Sequence, residues 1–262
     1  KGGQVAKSLR GGSTRLDCDN MQLEMPTIAT TALPSETARY VDEAYREIDT
    51  GPRVGIVEER TTGKLPIHID RKPPYAGVTH FEPVYTKSGM DVESVRVGIS
   101  DSLPTYVNIG TKRLNYKKRV ARHEFRHVLS EKLLRYMDDL TDHQRTLIME
   151  SYAEFAGIKG GTEDKETVLL TTPYTPAVKL GYFIDTFYKS ERDGKAGYAA
   201  FIRDIQKYKS AKMAITNLGR NIKEAVDRGV DVGHTTEAIY NSEVMDARRR
   251  VGADIAAYPM AA

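Results

Sequence analysis

The chain has very little cysteine: Cys18 is its single thiol. One thiol permits no internal disulfide, and it also excludes a zinc cluster built from several cysteines. No run of about 18 apolar residues occurs, so the sequence predicts no transmembrane helix. The formal net charge is only +3, which by itself does not argue for a nucleic-acid partner. We therefore expect any metal in this protein to be held by histidines and carboxylates.

The predicted elements come in the order strands first and helices afterwards, which indicates an α+β fold. Residues 1–34, which are rich in Gly, Ser, Thr and charge, are interpreted as an extended arm. A helix is predicted at 35–48, where apolar residues recur at helical spacing. Short alternating or β-branched stretches predict strands, and Pro73, Pro74 and Gly77 are expected to break the chain among them. The predicted strands are 54–58, 65–70, 94–100 and 106–109.

The second half of the sequence is predicted to be mainly helical. Residues 114–136 carry apolar side chains at three- and four-residue steps with no Gly or Pro, so one long helix is expected. A second helix is predicted at 142–158, and residues 162–172 are expected to form a loop. Gly219 is expected to separate two later helices. The later helices are predicted at 176–189, 196–208, 212–218, 221–228 and 236–250.

Residues 123–127 form the most specific motif, His-Glu-Phe-Arg-His, which has the pattern H-E-x-x-H and lies inside the first long helix. Histidines at i and i+4 share one helix face, so the imidazoles of His123 and His127 can reach one metal ion. Glu124 points to the side, where it can hold a water on that metal. A catalytic zinc needs three protein ligands and one open position. The sequence must therefore supply a third ligand.

Two known patterns for a third ligand are absent. Leu133 occupies the position of the third histidine in H-E-x-x-H-x-x-G-x-x-H, and Lys165 occupies the position of the aspartate in the variant built on G-T-x-x-D. Glu150 and His143 remain as candidates. Glu150 is favoured because Glu154 lies one helical turn further along, where it can accept the outer N–H of a ligand histidine. A metal cation would also compensate the repulsion between these two carboxylates.

The motif and the later segment 150–155, Glu-Ser-Tyr-Ala-Glu-Phe, together fit H-E-x-x-H followed by E-x-x-A-[DE]-[FY]. This combination resembles the gluzincin metallopeptidases, a group that includes thermolysin-like enzymes, the small archaeal minigluzincins and the peptidase MA-like proteins. Ser151 departs from the pattern, because many relatives carry Gly there. The resemblance is strong over 105–158 and extends more weakly over 35–205. The matching residues are His123, Glu124, His127, Glu150, Ala153 and Glu154.

The resemblance implies a zincin-like domain at 35–229, followed by a C-terminal helical segment at 230–262. In that fold a small mixed sheet, with an edge strand expected at 106–109, packs on the active-site helix. A peptide substrate would add to the edge strand as an extra strand.

The resemblance also implies a zinc-dependent peptidase with His123, His127 and Glu150 as zinc ligands and Glu154 behind a ligand histidine. Glu124 would take a proton from the attacking water and pass it to the leaving amine. Such enzymes add a donor for the developing oxyanion. Tyr174 is the first candidate for that donor, and Tyr182 and His234 are the reserves.

Two other classes of function stay open. Seven cations at 112–126, against the single acid Glu124, form a basic face that could contact phosphates; they are Lys112, Arg113, Lys117, Lys118, Arg119, Arg122 and Arg126. The other alternative, motivated by the long N-terminal arm, is a catalytically silent structural or assembly protein that keeps zinc.

Either end of the chain is a candidate for self-inhibition. A thiolate of Cys18 could cap the zinc, although a thiol without a role is the favoured interpretation. The numbered chain begins with Lys1 rather than Met, so we interpret it as processed or partial.

Overall fold

A computed structural model describes most of the chain, and the described residues are 21–23, parts of 36–46, 67–70, 76–86, 89–161 and 163–252. Cys18, the strand predicted at 54–58 and nearly all of the predicted arm lie outside these residues. The described residues between 36 and 46 are helical, as predicted. Within the described part, no helix is both long and apolar enough to cross a membrane.

Four strands form a mixed sheet in the order β1-β2-β4-β3. They are β1 (Met21–Leu23), β2 (Ile67–Asp70), β3 (Gly77–Thr86) and β4 (Gly89–Ile99). Strand β4 is parallel to β2 and antiparallel to β3. It buries Val95, Val97 and Ile99, the alternating residues that predicted it. Strand β3 lies at the edge, and within the described residues it pairs only with β4.

A separate two-stranded hairpin contains the strand that was expected at the edge of the main sheet. Strands β5 (Tyr106–Ile109) and β6 (Lys112–Asn115) pair only with each other in the described structure. The prediction of a strand at 106–109 is confirmed, but its assignment as the edge strand is wrong. Strand β3 has that position, and it begins at Gly77, where a break was expected.

Eight helices follow in the described part of the chain. They are α1 (Tyr116–Leu129), α2 (Glu131–Leu134), α3 (Asp142–Lys159), α4 (Lys165–Thr171), α5 (Thr175–Phe187), α6 (Tyr198–Tyr208), α7 (Ala211–Asp227) and α8 (Val232–Arg250). The fold is therefore α+β, with a small mixed sheet followed by a mainly helical part, as predicted.

Three helix boundaries differ from the prediction. The helix expected at 114–136 starts only after Asn115, whose side chain accepts a hydrogen bond from the Lys118 amide at 2.9 Å, and it is interrupted at Ser130. Residues expected to be a loop at 162–172 contain α4. Gly219 does not interrupt α7, because a glycine inside a helix costs only about 1 kcal/mol relative to alanine.

Helix α1 lies between the sheet and the helical part: it contacts β3 and β4 on one side and α3 on the other. Helix α3 in turn packs on α5, where Phe155 meets the ring of Tyr182 with 4.9 Å between centroids. Phe155 also meets the ring of Tyr198, the first residue of α6, with 5.1 Å between centroids. Helix α8 packs on α4 and α5, so the C-terminal helix is joined to the layer behind α3. This arrangement makes α1 and α3 the two central helices.

Two glycines inside helices provide a matched test of this packing. A Cβ atom at Gly181 in α5 would overlap Cγ of Phe155 and lie 2.6 Å from its Cβ, whereas nothing lies within 4 Å of a Cβ at Gly219 in α7. We predict that Gly181→Ala lowers the free energy of unfolding by about 1–3 kcal/mol through overpacking. Gly219→Ala should raise it by about 0.5–1 kcal/mol. Equilibrium urea denaturation measures both, and changes of the same sign would contradict the packing described.

Candidate metal centre

Three side chains from α1 and α3 converge on one point. The Nε2 atoms of His123 and His127 are 3.1 Å apart. Oε2 of Glu150 lies 3.2 Å from Nε2 of His123 and 3.5 Å from Nε2 of His127. Ligand atoms at the usual distance from a tetrahedral zinc ion lie about 3.3 Å from one another, so the spacing of these three donors fits a single ion. The three residues could therefore hold a metal.

The hydrogen bonding of this group also fits a cation. Oε2 of Glu150 is buried, and none of the described residues gives it a hydrogen bond of good geometry, a state that is costly for a carboxylate oxygen. Burial opposes a charge on His123, but the adjacent carboxylates of Glu150 and Glu154 outweigh burial and raise the pKa of His123 to about 10. Against the opposing effect of burial, the two imidazoles lower the pKa of Glu150. The group attracts positive charge, which a metal ion would supply.

Glu154 and Arg119 support His123 from behind. Nδ1 of His123 lies 3.2 Å from Oε1 of Glu154. Nη2 of Arg119 donates to both oxygens of that carboxylate, at 2.9 and 2.7 Å, and the two side chains are only 5% and 2% exposed. Burial favours the neutral form of Glu154, but His123 and Arg119 outweigh it and lower the pKa of Glu154 to about 2. A carboxylate at Nδ1 favours the tautomer that leaves Nε2 free to bind a metal.

Strand β3 holds the glutamate of the motif from the other side. The Thr79 hydroxyl lies 2.6 Å from Oε2 of Glu124 and 3.0 Å from the backbone oxygen of the same residue. Two residues earlier on the strand, Gly77 lies directly against Glu124, since a Cβ there would overlap Oε1 and lie 2.6 Å from Cγ1 of Val120. The absent side chain of Gly77 lets the strand approach α1, and Thr79 then fixes the carboxylate.

A cavity of about 600 Å³ adjoins the three donors. One wall is lined by residues 77–79 of β3 and by Ala76, which lies in the bend before the strand. Helices α1 and α3 line two other walls. Tyr174 borders it from the N-cap of α5, where its ring stacks on His123 with centroids 5.4 Å apart and planes 6° apart. Burial, together with the nearby carboxylates, raises the pKa of Tyr174 to about 12. This hydroxyl therefore stays protonated near neutral pH and can donate a hydrogen bond.

Three candidates from the sequence are not among the described residues that line the cavity. His143 is exposed in the first turn of α3, and His234 is exposed in the first turn of α8. Tyr182 is buried against Phe155. The structure therefore brings Glu150 rather than His143 to the histidines, and Tyr174 rather than either reserve to the cavity.

The basic face at 112–126 is largely neutralised within the protein. Five of its seven cations form ion pairs, which are Lys112–Asp164, Lys118–Glu43, Arg119–Glu154, Arg122–Glu163 and Arg126–Glu163. Lys117 is buried and donates to the Asp101 carbonyl at 3.2 Å. Arg113 lies over the ring of Tyr106, 4.0 Å from its centroid. This pairing lowers the positive charge that the face offers to phosphates, and nucleic-acid binding stays a prediction.

Four residues at the site were not found from the sequence. Arg119 precedes His123 by one helical turn, so the sequence predicts that the two residues share a helix face. The pairing of Arg119 with Glu154 depends on a tertiary contact that the sequence does not show. Gly77 and Thr79 come from a strand that was not predicted. Arg145 lines the cavity from α3 and lies one turn before the Met149 and Glu150 pair. No local pattern marks the last three.

No protein-family model, no curated protein and no solved structure matches this chain. The likeness to gluzincins therefore rests on the motif, and the function has to be argued from the chemistry of the site.

The choice of third ligand can be tested by metal binding. We predict that Glu150→Ala lowers zinc affinity more than Glu154→Gln does, because Glu150 supplies a donor atom and Glu154 only orients His123. The loss for Glu154→Gln should be about 10–100-fold. His143→Ala is the matched control and should leave zinc affinity unchanged. Competition titration with a chromophoric chelator measures all three, and a larger loss in His143→Ala would overturn the assignment.

Proposed function

We propose that the chain is a zinc-dependent peptidase of the gluzincin type. His123, His127 and Glu150 would hold the zinc, and Glu124 would act as general base. The observation that carries this proposal is the convergence of three donors, 3.1 to 3.5 Å apart, beside an open cavity. Two imidazoles and one carboxylate are the ligands of a known class of catalytic zinc site.

The surroundings favour a catalytic zinc over a structural one. Structural zinc sites are closed by four protein ligands, whereas three donors are grouped here in the described part of the chain and a cavity adjoins them. Glu124, the residue that catalysis needs, is present and held in place by Thr79. No specific observation favours a silent zinc-containing protein. Self-inhibition by residues 1–34 or by the C-terminal end stays a prediction.

Each residue has a role that its position supports. Bound zinc would polarise the scissile carbonyl and lower the pKa of a water to near neutrality. The carboxylate of Glu124 would take the proton of the attacking water and pass it to the leaving amine. Thr79 would keep that carboxylate in one orientation, which matters because small displacements of a catalytic group cost rate. The hydroxyl of Tyr174 would donate a hydrogen bond to the developing oxyanion.

Strand β3 is the element best placed to bind a peptide. It lies at the edge of the sheet and, within the described residues, its outer side is unpaired. Residues 76–79 line the cavity, so a peptide added along this edge would run beside Glu124. The proposal therefore assigns to β3 the peptide-binding role that the resemblance implied for residues 106–109. Peptides and unfolded protein segments are therefore the proposed substrates.

The proposal predicts separate effects on zinc and on hydrolysis. Glu124→Gln should lower kcat by at least the factor of about 10²–10⁴ that general base catalysis supplies. Zinc content should stay at the wild-type value, because Glu124 is not a ligand. Cleavage of denatured casein and of a mixed peptide library, with zinc measured on the same samples, provides the test. Zinc-loaded wild-type protein that cleaves neither would overturn the proposed function.

Thr79 should act on turnover rather than on binding. Thr79→Val keeps the shape of the side chain but removes the donor to Glu124, so we predict a fall in kcat of about 10-fold, the cost of one hydrogen bond to a charged group. KM and zinc content should change little. Thr79→Ser restores the hydroxyl and should recover most of the activity. Equal losses in the valine and serine variants would show that the hydroxyl is not responsible.

A further inference from the structure

Arg145 is the cavity cation with no carboxylate partner among the described lining residues. The other arginine there, Arg119, already pairs with a carboxylate of the lining, because its Nη2 donates to both oxygens of Glu154. The Arg145 contacts lie outside the cavity lining: Nη2 is 3.3 Å from Oδ1 of Asp142 and 3.3 Å from the carbonyl of Leu140. Its Nε atom is buried and has no hydrogen-bond partner in the described part of the chain. The guanidinium therefore retains donor capacity on a cavity wall.

The existing partner of Arg145 is weak. The side chain of Asp142 is 62% exposed, while that of Arg145 is 18% exposed, and ion pairs with a solvated carboxylate contribute about 0–1 kcal/mol. A guanidinium has five N–H donors in a planar fork that matches a carboxylate. A carboxylate that approached from the cavity would meet this fork where water is partly excluded, so the attraction would be stronger there.

The position of Arg145 sets its distance from the reaction. It precedes Glu150 by five residues on α3, which corresponds to about 7.5 Å along the helix axis. An extended peptide advances about 3.3 Å per residue, so this distance spans about two residues. Met149, one turn after Arg145, and Leu134 line the same cavity and are buried apolar residues. A chain of methylene groups that ends in a carboxylate fits walls of this kind.

We propose that the site selects peptides that carry a carboxylate about two residues from the scissile bond, and that Arg145 binds this carboxylate. This inference rests on the proposed peptidase function and adds the substrate class to it. The carboxylate has two sources, the side chain of a Glu residue and the free C-terminus of the peptide. Both present the same planar anion to the guanidinium, and the experiment separates them.

Alanine-based fluorescent peptides test the preference directly. One series moves a single Glu, or Gln as the neutral match, through each position of a C-terminally amidated peptide. A second series has no Glu and ends in a free carboxylate or an amide. We expect zinc-loaded wild-type protein to prefer the carboxylate member of a pair by about 10–100-fold in kcat/KM, the effect of one hydrogen bond to a charged group in a partly buried site. A preference for Glu over Gln in the first series identifies a side-chain carboxylate as the group that Arg145 binds. A preference for the free carboxylate over the amide in the second series identifies the C-terminus of the peptide.

Variants of Arg145 and its neighbours assign the effect. Arg145→Gln should abolish the preference while retaining cleavage of the neutral peptides, and Arg145→Glu should favour Lys at the same position. Asp142→Asn should strengthen the preference, because it removes the competing carboxylate. Arg220, an exposed arginine on α7, provides the control Arg220→Gln, which should behave as wild type. Equal cleavage of both members of every pair by wild-type protein, or an Arg145→Gln variant that loses all substrates alike, would overturn the inference.

Peptide binding separates this inference from the proposed function. The Glu124→Gln variant retains the cavity, so fluorescence anisotropy with the same peptides reports on Arg145 without turnover. Tighter binding of carboxylate peptides by Glu124→Gln, lost in the double variant with Arg145→Gln, would support the inference even if wild-type protein cleaved nothing. In that case only the peptidase function would be overturned. Equal binding of carboxylate and neutral peptides would overturn the inference by itself.

Discussion

The packing of α1 against α3 is the interaction on which the site depends, because it buries charges from both helices and must pair them. An unpaired buried charge is strongly unfavourable, so each buried charge on α1 needs a partner from another element. Glu154 on α3 pairs with both Arg119 and His123. Glu163, which lies just after α3, pairs with Arg126. Gly157 on α3 makes room for the last pair, since a Cβ there would lie 2.8 Å from Cζ of Arg126.

The same packing leaves one group of donors without a complete set of partners. His123, His127 and Glu150 face one another, and the buried Oε2 of Glu150 lacks a good hydrogen bond. The fixed pairs on either side hold these donors at a spacing that suits one metal ion. On the sheet side, β3 contributes Thr79 to hold Glu124 and an unpaired strand edge beside it. In the proposed peptidase, two helices thus provide the metal site. The sheet orients the general base Glu124 and provides the edge that binds the peptide.

The part of the site that follows helical spacing could be predicted from the sequence. His123 and His127 share a helix face by periodicity, and the spacing of Glu150 and Glu154 placed two carboxylates on one face of α3, as the structure has them. Tyr174 was named because its placement resembles that of the tyrosine in the gluzincin family, and it lies against His123. The α+β order of elements was also readable, because strand and helix periods differ clearly along the chain.

The part that depends on contacts between distant segments could not be predicted. Gly77 was interpreted as a chain break, and only the close approach of β3 to Glu124 explains why a glycine begins that strand. The edge strand was expected at 106–109 because the order of elements resembles that of the gluzincins, but this strand pairs with the adjacent β6 and not with the main sheet. From the sequence, the cations of 112–126 were expected to form a basic face. In the structure most of them pair with acidic residues that are distant in sequence: Glu43, Glu154, Glu163 and Asp164.

The most direct test of the account is the anomalous diffraction of crystals of the zinc-loaded protein, recorded on both sides of the zinc absorption edge. The proposed zinc site predicts one strong zinc peak about 2.0–2.2 Å from Nε2 of His123, Nε2 of His127 and Oε2 of Glu150. The remaining coordination position should face the cavity beside Glu124. A zinc peak elsewhere, or a zinc ion at this site with four protein ligands and no position open to the cavity, would contradict the account.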